Sequence, residues 1–474
     1  MSQLRTWAEN RDRGLFEQAL TTFSRQDKMN KLQKRDLKHV WHPCSQMKDY
    51  EAFPPLPVKE ARGAYIITAD GRKVIDGISS WWCKSLGHSH PRIRKAVQAQ
   101  IAKFEHVIMA NTCNETLVAL SERLCALMPG LDKVFYADNG STAVEIAMKM
   151  SLQYHAQSGA PERTKFLSLE NGYHGETILT LSASDCGIYS RPYKSLMISI
   201  PKIAGVPYLS GQDSPEWLRM EELQWKKTEK MLDRCSGKIS AIVFEPIVQG
   251  AGGMLVYSPD FLKKLRRWAT VNSVHLIADE IMTGFGRTGR MLACEHAGIV
   301  PDLLCLSKGL TAGWGPMSAI LCSRRVYKAF YDDYGKGKSF LHSNTYSGHA
   351  ISAAAALEAM KIYEDEGIIA KVAERGCELR RRMEWVASET GALADIRGVG
   401  YVVAGNIVSP HTGKQFSPSK RIGFEFYRNA VKYGALLRPL GDTIYFLPPL
   451  NTSGKVLDDL AEIAVRALKK AVWK

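Results

Sequence analysis

Val274-His275-Leu276-Ile277-Ala278-Asp279-Glu280 is an apolar run closed by two acids, and 29 residues beyond Asp279 stands Lys308 in Ser307-Lys308-Gly309. Val274 and the run Leu276-Ile277-Ala278, interrupted only by His275, read as a strand buried on both faces, the kind found in parallel sheets. Such a strand delivers Asp279 at its C-terminal end. Around the lysine, Cys305-Leu306-Ser307-Lys308-Gly309-Leu310 is small and apolar, a setting that lowers the proton affinity of an ammonium group.

Taken singly, Asp279 could cap the segment that follows it and Lys308 could be a solvated surface lysine. Together they match the needs of pyridoxal 5′-phosphate. That cofactor requires an amine for its Schiff base, here Lys308. It also requires a carboxylate beside its ring nitrogen, here Asp279, kept ionised by the positive charge it faces.

Composition narrows the alternatives. With 474 residues the chain exceeds one core and suits about two or three domains. Its 45% hydrophobic and 23% charged residues are ordinary for a globular protein. The net charge of +15 is scattered; the densest basic groups, Lys263-Lys264 with Arg266-Arg267 and Arg380-Arg381-Arg382, carry no interleaved aromatics. That argues against nucleic-acid binding as the main role and in favour of small anionic ligands. The ten cysteines form no CxxC pair and no His/Cys cluster at metal spacing, so they read as reduced thiols of a cytoplasmic protein without a metal site. No run of 18 apolar residues suggests a membrane span. Residues 1–38 form an extension whose acids, Glu9, Asp12, Glu17 and Asp27, do not suit a transit peptide.

Strand-like runs at Lys133 to Tyr136, Phe166 to Leu169, Ile239 to Phe244 and His275 to Ala278 alternate with helix-like stretches at Ala143 to Tyr154 and Pro259 to Thr270. The expected fold class is α/β, a mostly parallel sheet flanked by helices, with ligands at the carboxyl ends of the strands. Helices at Ile351 to Glu366 and Ile368 to Thr390, then strands at Gly398 to Ile407 and Thr443 to Leu447, indicate a smaller α+β domain. The expected division is 39–85 and 356–474 for the smaller domain, and 86–355 for the larger.

Each candidate motif follows one of these strands. Asp138-Asn139-Gly140-Ser141-Thr142 opens a helix, where Gly140 and Ser141 suit a phosphate; helix capping is the equal alternative. Asn171-Gly172-Tyr173-His174-Gly175 offers Tyr173 as a ring to lie against a planar cofactor. Glu245-Pro246 leads into the glycines Gly250, Gly252 and Gly253. Thr283-Gly284-Phe285-Gly286-Arg287-Thr288-Gly289 is no dinucleotide fingerprint, since it follows Asp279 outside any βαβ frame; Arg287 could face a substrate carboxylate.

In this order, the Asn139-Gly140-Ser141, Tyr173-His174-Gly175, Glu245-Pro246, Asp279-Glu280 and Ser307-Lys308-Gly309 motifs resemble the class III (ω-amino acid) aminotransferases of fold type I, over about residues 40 to 470. The resemblance implies ping-pong transamination on pyridoxal 5′-phosphate. It implies Lys308, Asp279 and Tyr173 as catalytic residues, and Gly140, Ser141, His174 and Glu245 as further cofactor contacts. Thr345 is implied to reach the phosphate from a partner subunit, hence a homodimer with shared sites. More narrowly, Trp41-His42-Pro43, Ser79-Ser80-Trp81-Trp82 and Arg438-Pro439-Leu440-Gly441 look like the branch that converts 8-amino-7-oxononanoate (KAPA) to 7,8-diaminononanoate (DAPA) in biotin synthesis, usually with S-adenosylmethionine as donor. That likeness implies Trp81 and Trp82 as pocket walls and Arg438 as the partner of the KAPA carboxylate. Read as strand, adjacent tryptophans point to opposite faces, so one of them is expected to meet a ligand.

Two positions depart from the pattern of the S-adenosylmethionine users. Cys44 stands where they have a tyrosine, and Ser343-Asn344 where they have Gly-Pro, both in the donor pocket. KAPA as acceptor is untouched by these changes. The donor stays open between S-adenosylmethionine and lysine. The remaining rival is another class III enzyme acting on ω-amino acids with pyruvate or 2-oxoglutarate.

Overall fold

All five residues of the strand His275–Asp279 are buried, the polar His275 and Asp279 at its ends as well as the apolar Leu276, Ile277 and Ala278 between them. The computed structural model describes residues 29–473. Most of the extension 1–38 therefore lies outside the described residues; within them, Lys31–His39 is a surface helix opened by a capping box between Asn30 and Gln33.

His275–Asp279 lies at the centre of a seven-stranded sheet. Its order is Lys133–Ala137, Ser318–Cys322, Leu303–Leu306, His275–Asp279, Ile239–Phe244, Lys165–Leu169, Lys202–Ile203. The five strands from Leu303–Leu306 to Lys202–Ile203 pair in parallel. Ser318–Cys322 runs antiparallel to both neighbours, so the sheet is mixed and largely parallel. Gly140–Gln157 packs Ala143, Val144, Ile146, Ala147, Met148 and Met150 against one face. Pro259–Val271 turns Phe261, Leu262, Leu265, Trp268 and Ala269 inward, the spacing of a helix with one buried stripe. Every connection that follows a parallel strand crosses at the same end, and there the candidate motifs collect.

After the helices Ala350–Asp365 and Ile368–Thr390 the chain builds an antiparallel sheet of Leu393–Val399, Val402–Ile407 and Thr443–Phe446. The single strand expected at Gly398 to Ile407 is two strands. Gly400, at φ +58°, turns the chain between them, and a side chain there would collide with the backbone of Thr288. A further sheet joins Val58–Arg62, Tyr65–Thr68 and Lys73–Asp76 to Ala435–Leu436, tying the beginning of the described chain to its end.

Candidate active site at the strand ends

The carboxyl ends of neighbouring strands surround a cavity of about 190 Å³. Its walls are the five motifs: Asn139, Gly140 and Ser141; Tyr173, His174 and Gly175; Glu245; Asp279, Ile281 and Met282; Ser307 and Lys308; and, from outside the sheet, Trp82. Asp279 and Lys308, far apart in sequence, meet here. Glu280 does not. Its buried carboxylate turns away and is saturated by Thr283 Oγ1 at 2.7 Å, Ala293 N at 3.0 Å and Cys294 N at 2.8 Å.

Asp279 is held on two sides. His174 Nδ1 lies 2.8 Å from Oδ2, and the backbone N–H of Ile281 donates to Oδ1 at 3.2 Å. Burial lowers the proton affinity of Lys308, against the opposing charges of Asp279 and Glu245. Its Nζ sits 4.5 Å from the centre of the Trp82 ring. Glu245, wholly buried, is pushed up to about 8 by desolvation and then by Asp279, while the N–H groups of Tyr173 and Gly250 donate to its two oxygens at 2.9 and 2.8 Å. Burial also raises the Tyr173 phenol, whose O–H donates to Glu176 Oε1 at 3.0 Å.

These groups fit pyridoxal phosphate. One end of the cavity is the N-terminus of Gly140–Gln157, where first-turn N–H groups favour an anion. A side chain at Gly140 would meet Ile281 at 2.9 Å, and one at Gly175 would meet Ser141 Oγ at 2.0 Å, so both glycines keep that end open. Asp279 lies on the wall, the Lys308 amine is buried in the same cavity, and His174 Nε2 is left without a partner.

A second, larger cavity of about 730 Å³ includes His42, Pro43, Cys44, Trp81 and Arg438 in its lining. The Arg438 guanidinium stacks 4.7 Å from the Trp81 ring and donates to the carbonyl of Cys44. Thus Trp82, 4% exposed, faces the smaller cavity, and Trp81, 43% exposed, the larger. The strand expected at this dipeptide is instead a tight turn in which Ser79, Ser80, Trp81 and Trp82 all have positive φ. Each such non-glycine residue costs roughly 1–2 kcal/mol, a strain that local contacts must offset.

Two expected sites lie elsewhere. Arg287 is 1% exposed and lines neither cavity; it donates to Pro448 O at 2.5 Å, and burial lowers its pKa to about 10. Its Nε and Nη2 have no hydrogen-bond partner among the described residues. Ser343 and Thr345 are exposed on a loop and line neither cavity of their own chain. Sequence reasoning missed Ile281 and Met282, whose signal was their position directly after the strand-end acids. It also missed Glu176, whose signal was its place three residues after Tyr173.

Fold and site together define an aminotransferase that depends on pyridoxal phosphate, and the chain belongs to the class III aminotransferases, whose family model matches residues 46–468. Within the family it is 36% identical over 434 residues to the adenosylmethionine-8-amino-7-oxononanoate aminotransferase of Geobacter sulfurreducens, spanning 90% of this chain and 95% of that one. It is 38% identical over 418 residues to the Helicobacter pylori protein of the same name, spanning 87% and 92%. The crystal structure of the Methanocaldococcus jannaschii protein so named superposes with a TM-score of 0.86 at 29% identity, covering 93% of this chain and 98% of that one. Among the described residues no helix is long and apolar enough to cross a membrane.

Proposed function

We propose that this chain transfers an amino group to KAPA to give DAPA for biotin synthesis, with pyridoxal 5′-phosphate as cofactor and S-adenosylmethionine as donor. The observation that carries the reading is the Trp81-Trp82 corner: one ring stacks beside the Lys308 amine and the next against the Arg438 cation. An acceptor with a ketone at one end and a carboxylate at the other suits such a pair of poles. The names of the Geobacter and Helicobacter relatives support both acceptor and donor.

In this reading Gly140 and Ser141 would hold the cofactor phosphate, Asp279 its ring nitrogen, Tyr173 its ring and Lys308 its aldehyde, with Trp82 walling the substrate side. When bound, the cofactor supplies the aldehyde that takes up an amino group and a ring that spreads the negative charge left on the donor carbon. Lys308 Nζ, less basic through burial, takes a proton from the donor carbon and returns one to the acceptor carbon. His174 orients Asp279; Glu245 fixes the backbone of Tyr173. Trp82, hydrogen-bonded through Nε1 to Tyr445 at 3.1 Å, keeps water from Lys308.

Thr345, with Ser343 beside it, serves the cavity of a second copy in a homodimer. Its exposure on a loop with the exposed apolar residues Leu341 and Tyr346 supports this. The pairing of Ala435–Leu436 with Lys73–Asp76 supports 39–85 and 356–474 as one smaller domain on the larger 86–355. Ten free cysteines support a reducing compartment, the cytoplasm.

A second donor, lysine, is favoured by Cys44 and by the Glu176 carboxylate 3.9 Å from its Sγ, since that acid would attract a second ammonium group. An amine panel of S-adenosylmethionine, lysine and alanine with KAPA, read by mass detection of DAPA, tests the whole proposal. DAPA with S-adenosylmethionine supports it, DAPA with lysine alone replaces the donor, and no DAPA with any amine overturns it.

A further inference from the structure

The turn carrying the two tryptophans runs through φ values of 51°, 44°, 66° and 74° at Ser79, Ser80, Trp81 and Trp82, with no glycine among them. A corner of this kind persists only where its surroundings over-determine it. The group that does so most completely is Asp76, whose side chain is fully buried at the end of the strand Lys73–Asp76. Its Oδ1 accepts from Ser80 N at 2.9 Å, and its Oδ2 accepts from Ser80 Oγ at 2.7 Å and from His88 Nε2 at 2.8 Å. Ser79 Oγ adds a bond to Leu447 O at 2.7 Å. Downstream of the clamp, the Trp82 ring is packed so closely that a side chain at Gly250 would meet it at 3.2 Å.

We propose that Asp76 is a positioning residue: its carboxylate holds the Ser79–Trp82 corner left-handed and thereby sets Trp82 against Lys308 and Trp81 against Arg438. The consequence for KAPA rests on the reading of Lys308 and Arg438 as the two poles of the acceptor site. Asp76 touches neither cofactor nor substrate in this account; it acts through the backbone of Ser80.

The test uses the full chain labelled with 5-fluorotryptophan, without added ligand, with the Trp81 and Trp82 resonances assigned through Trp81→Phe and Trp82→Phe. In Asp76→Ala these two ¹⁹F resonances move toward the position of exposed indole while the other tryptophans stay, and KM for KAPA rises about tenfold with a smaller change in kcat. Adding Ser80→Gly, which adopts positive φ without strain, returns both resonances and most of the KM. If Asp76→Ala does not fold, Asp76→Asn, which keeps an acceptor for Ser80 N, shows the same shifts at smaller amplitude. Unmoved Trp81 and Trp82 resonances, shifts spread over all tryptophans, or no rescue by Ser80→Gly overturn the proposal. Moved resonances with an unchanged KM for KAPA uphold the clamp and overturn the acceptor-site reading.

Discussion

His174 Nδ1 lies 2.8 Å from Asp279 Oδ2, and both side chains are buried. The imidazole therefore does not present its bonded nitrogen to the cavity. It fixes which way the carboxylate points, and its free Nε2 is the orphaned one. His174→Phe keeps a ring in the space and removes the bond. A hydrogen bond to a buried charge contributes about 1.5–3 kcal/mol, so pyridoxal phosphate should bind roughly 10- to 100-fold more weakly. Equilibrium dialysis of the variant measures this, and unaltered affinity would show that Asp279 needs no such partner.

Asp279→Asn preserves shape and deletes the charge. The variant should fold and still take up cofactor, with single-turnover transamination slower by several orders of magnitude, because an amide does not stabilise a protonated ring nitrogen. Glu280 is the sequence neighbour that could substitute, but its oxygens are committed to Thr283, Ala293 and Cys294. Near-normal rates in stopped-flow would therefore refute the assignment of the carboxylate rather than merely shift it by one residue.

Arg438 separates the two halves of the reaction. Its guanidinium is only partly buried, stacked on Trp81, so its loss should weaken KAPA by about 10- to 100-fold rather than more. Donor-driven conversion of the bound cofactor in Arg438→Ala should change far less. Because Arg438 also ties down the Cys44 carbonyl, equal losses in both half-reactions would mark it as a structural bond instead.

Acid stability should depend on a buried pair remote from the cavity. His275 is pushed down to about 3, and His155, whose ring centre lies 4.6 Å away, is also lowered, both chiefly by burial. Nearby Asp302 opposes the shift at His275, and Arg325 and Arg266 reinforce it. In the unfolded chain these imidazoles take up protons near their ordinary value of about 6.5. The contribution of His275 is thus full above that pH and is lost as pH drops from about 6.5 toward 3, by at most about 1.4 kcal/mol per unit, with His155 acting in the same direction. Urea midpoints at pH 5 and pH 8 should converge in His275→Phe. An undiminished difference would assign the acid sensitivity to other groups.

Four of the seven strands of the large sheet were legible as largely apolar runs, whereas Leu303–Leu306, Ser318–Cys322 and the two-residue Lys202–Ile203 were not; Ile368–Thr390 was legible because Gly367 and Gly391 bracket it. Asp279 and Lys308 were legible because burial of a charged group leaves so few reasons for it to exist. The corner at Ser79–Trp82 was not, since four left-handed residues without glycine leave no local signal; Asp76, His88, Leu447 and Tyr445 hold it from elsewhere in the chain. Arg287 carries no such signal either: in a glycine-rich loop it reads as a contact for a ligand, whereas in the fold it is buried and donates to Pro448 O.

In the proposed reaction the Lys308 amine is the group that meets the cofactor. Among the described residues two other lysines are largely buried with lowered proton affinity: Lys84, which donates to Gly313 O at 2.6 Å, and Lys202, at about 8 and bonded to Ser168, Ser182 and Ala183. Borohydride reduction of the holoprotein followed by peptide mass mapping separates the three. The phosphopyridoxyl group is expected on Lys308 alone. Its appearance on Lys84 or Lys202, or unreduced loss of the cofactor from an intact Lys308, would overturn the assignment of Lys308.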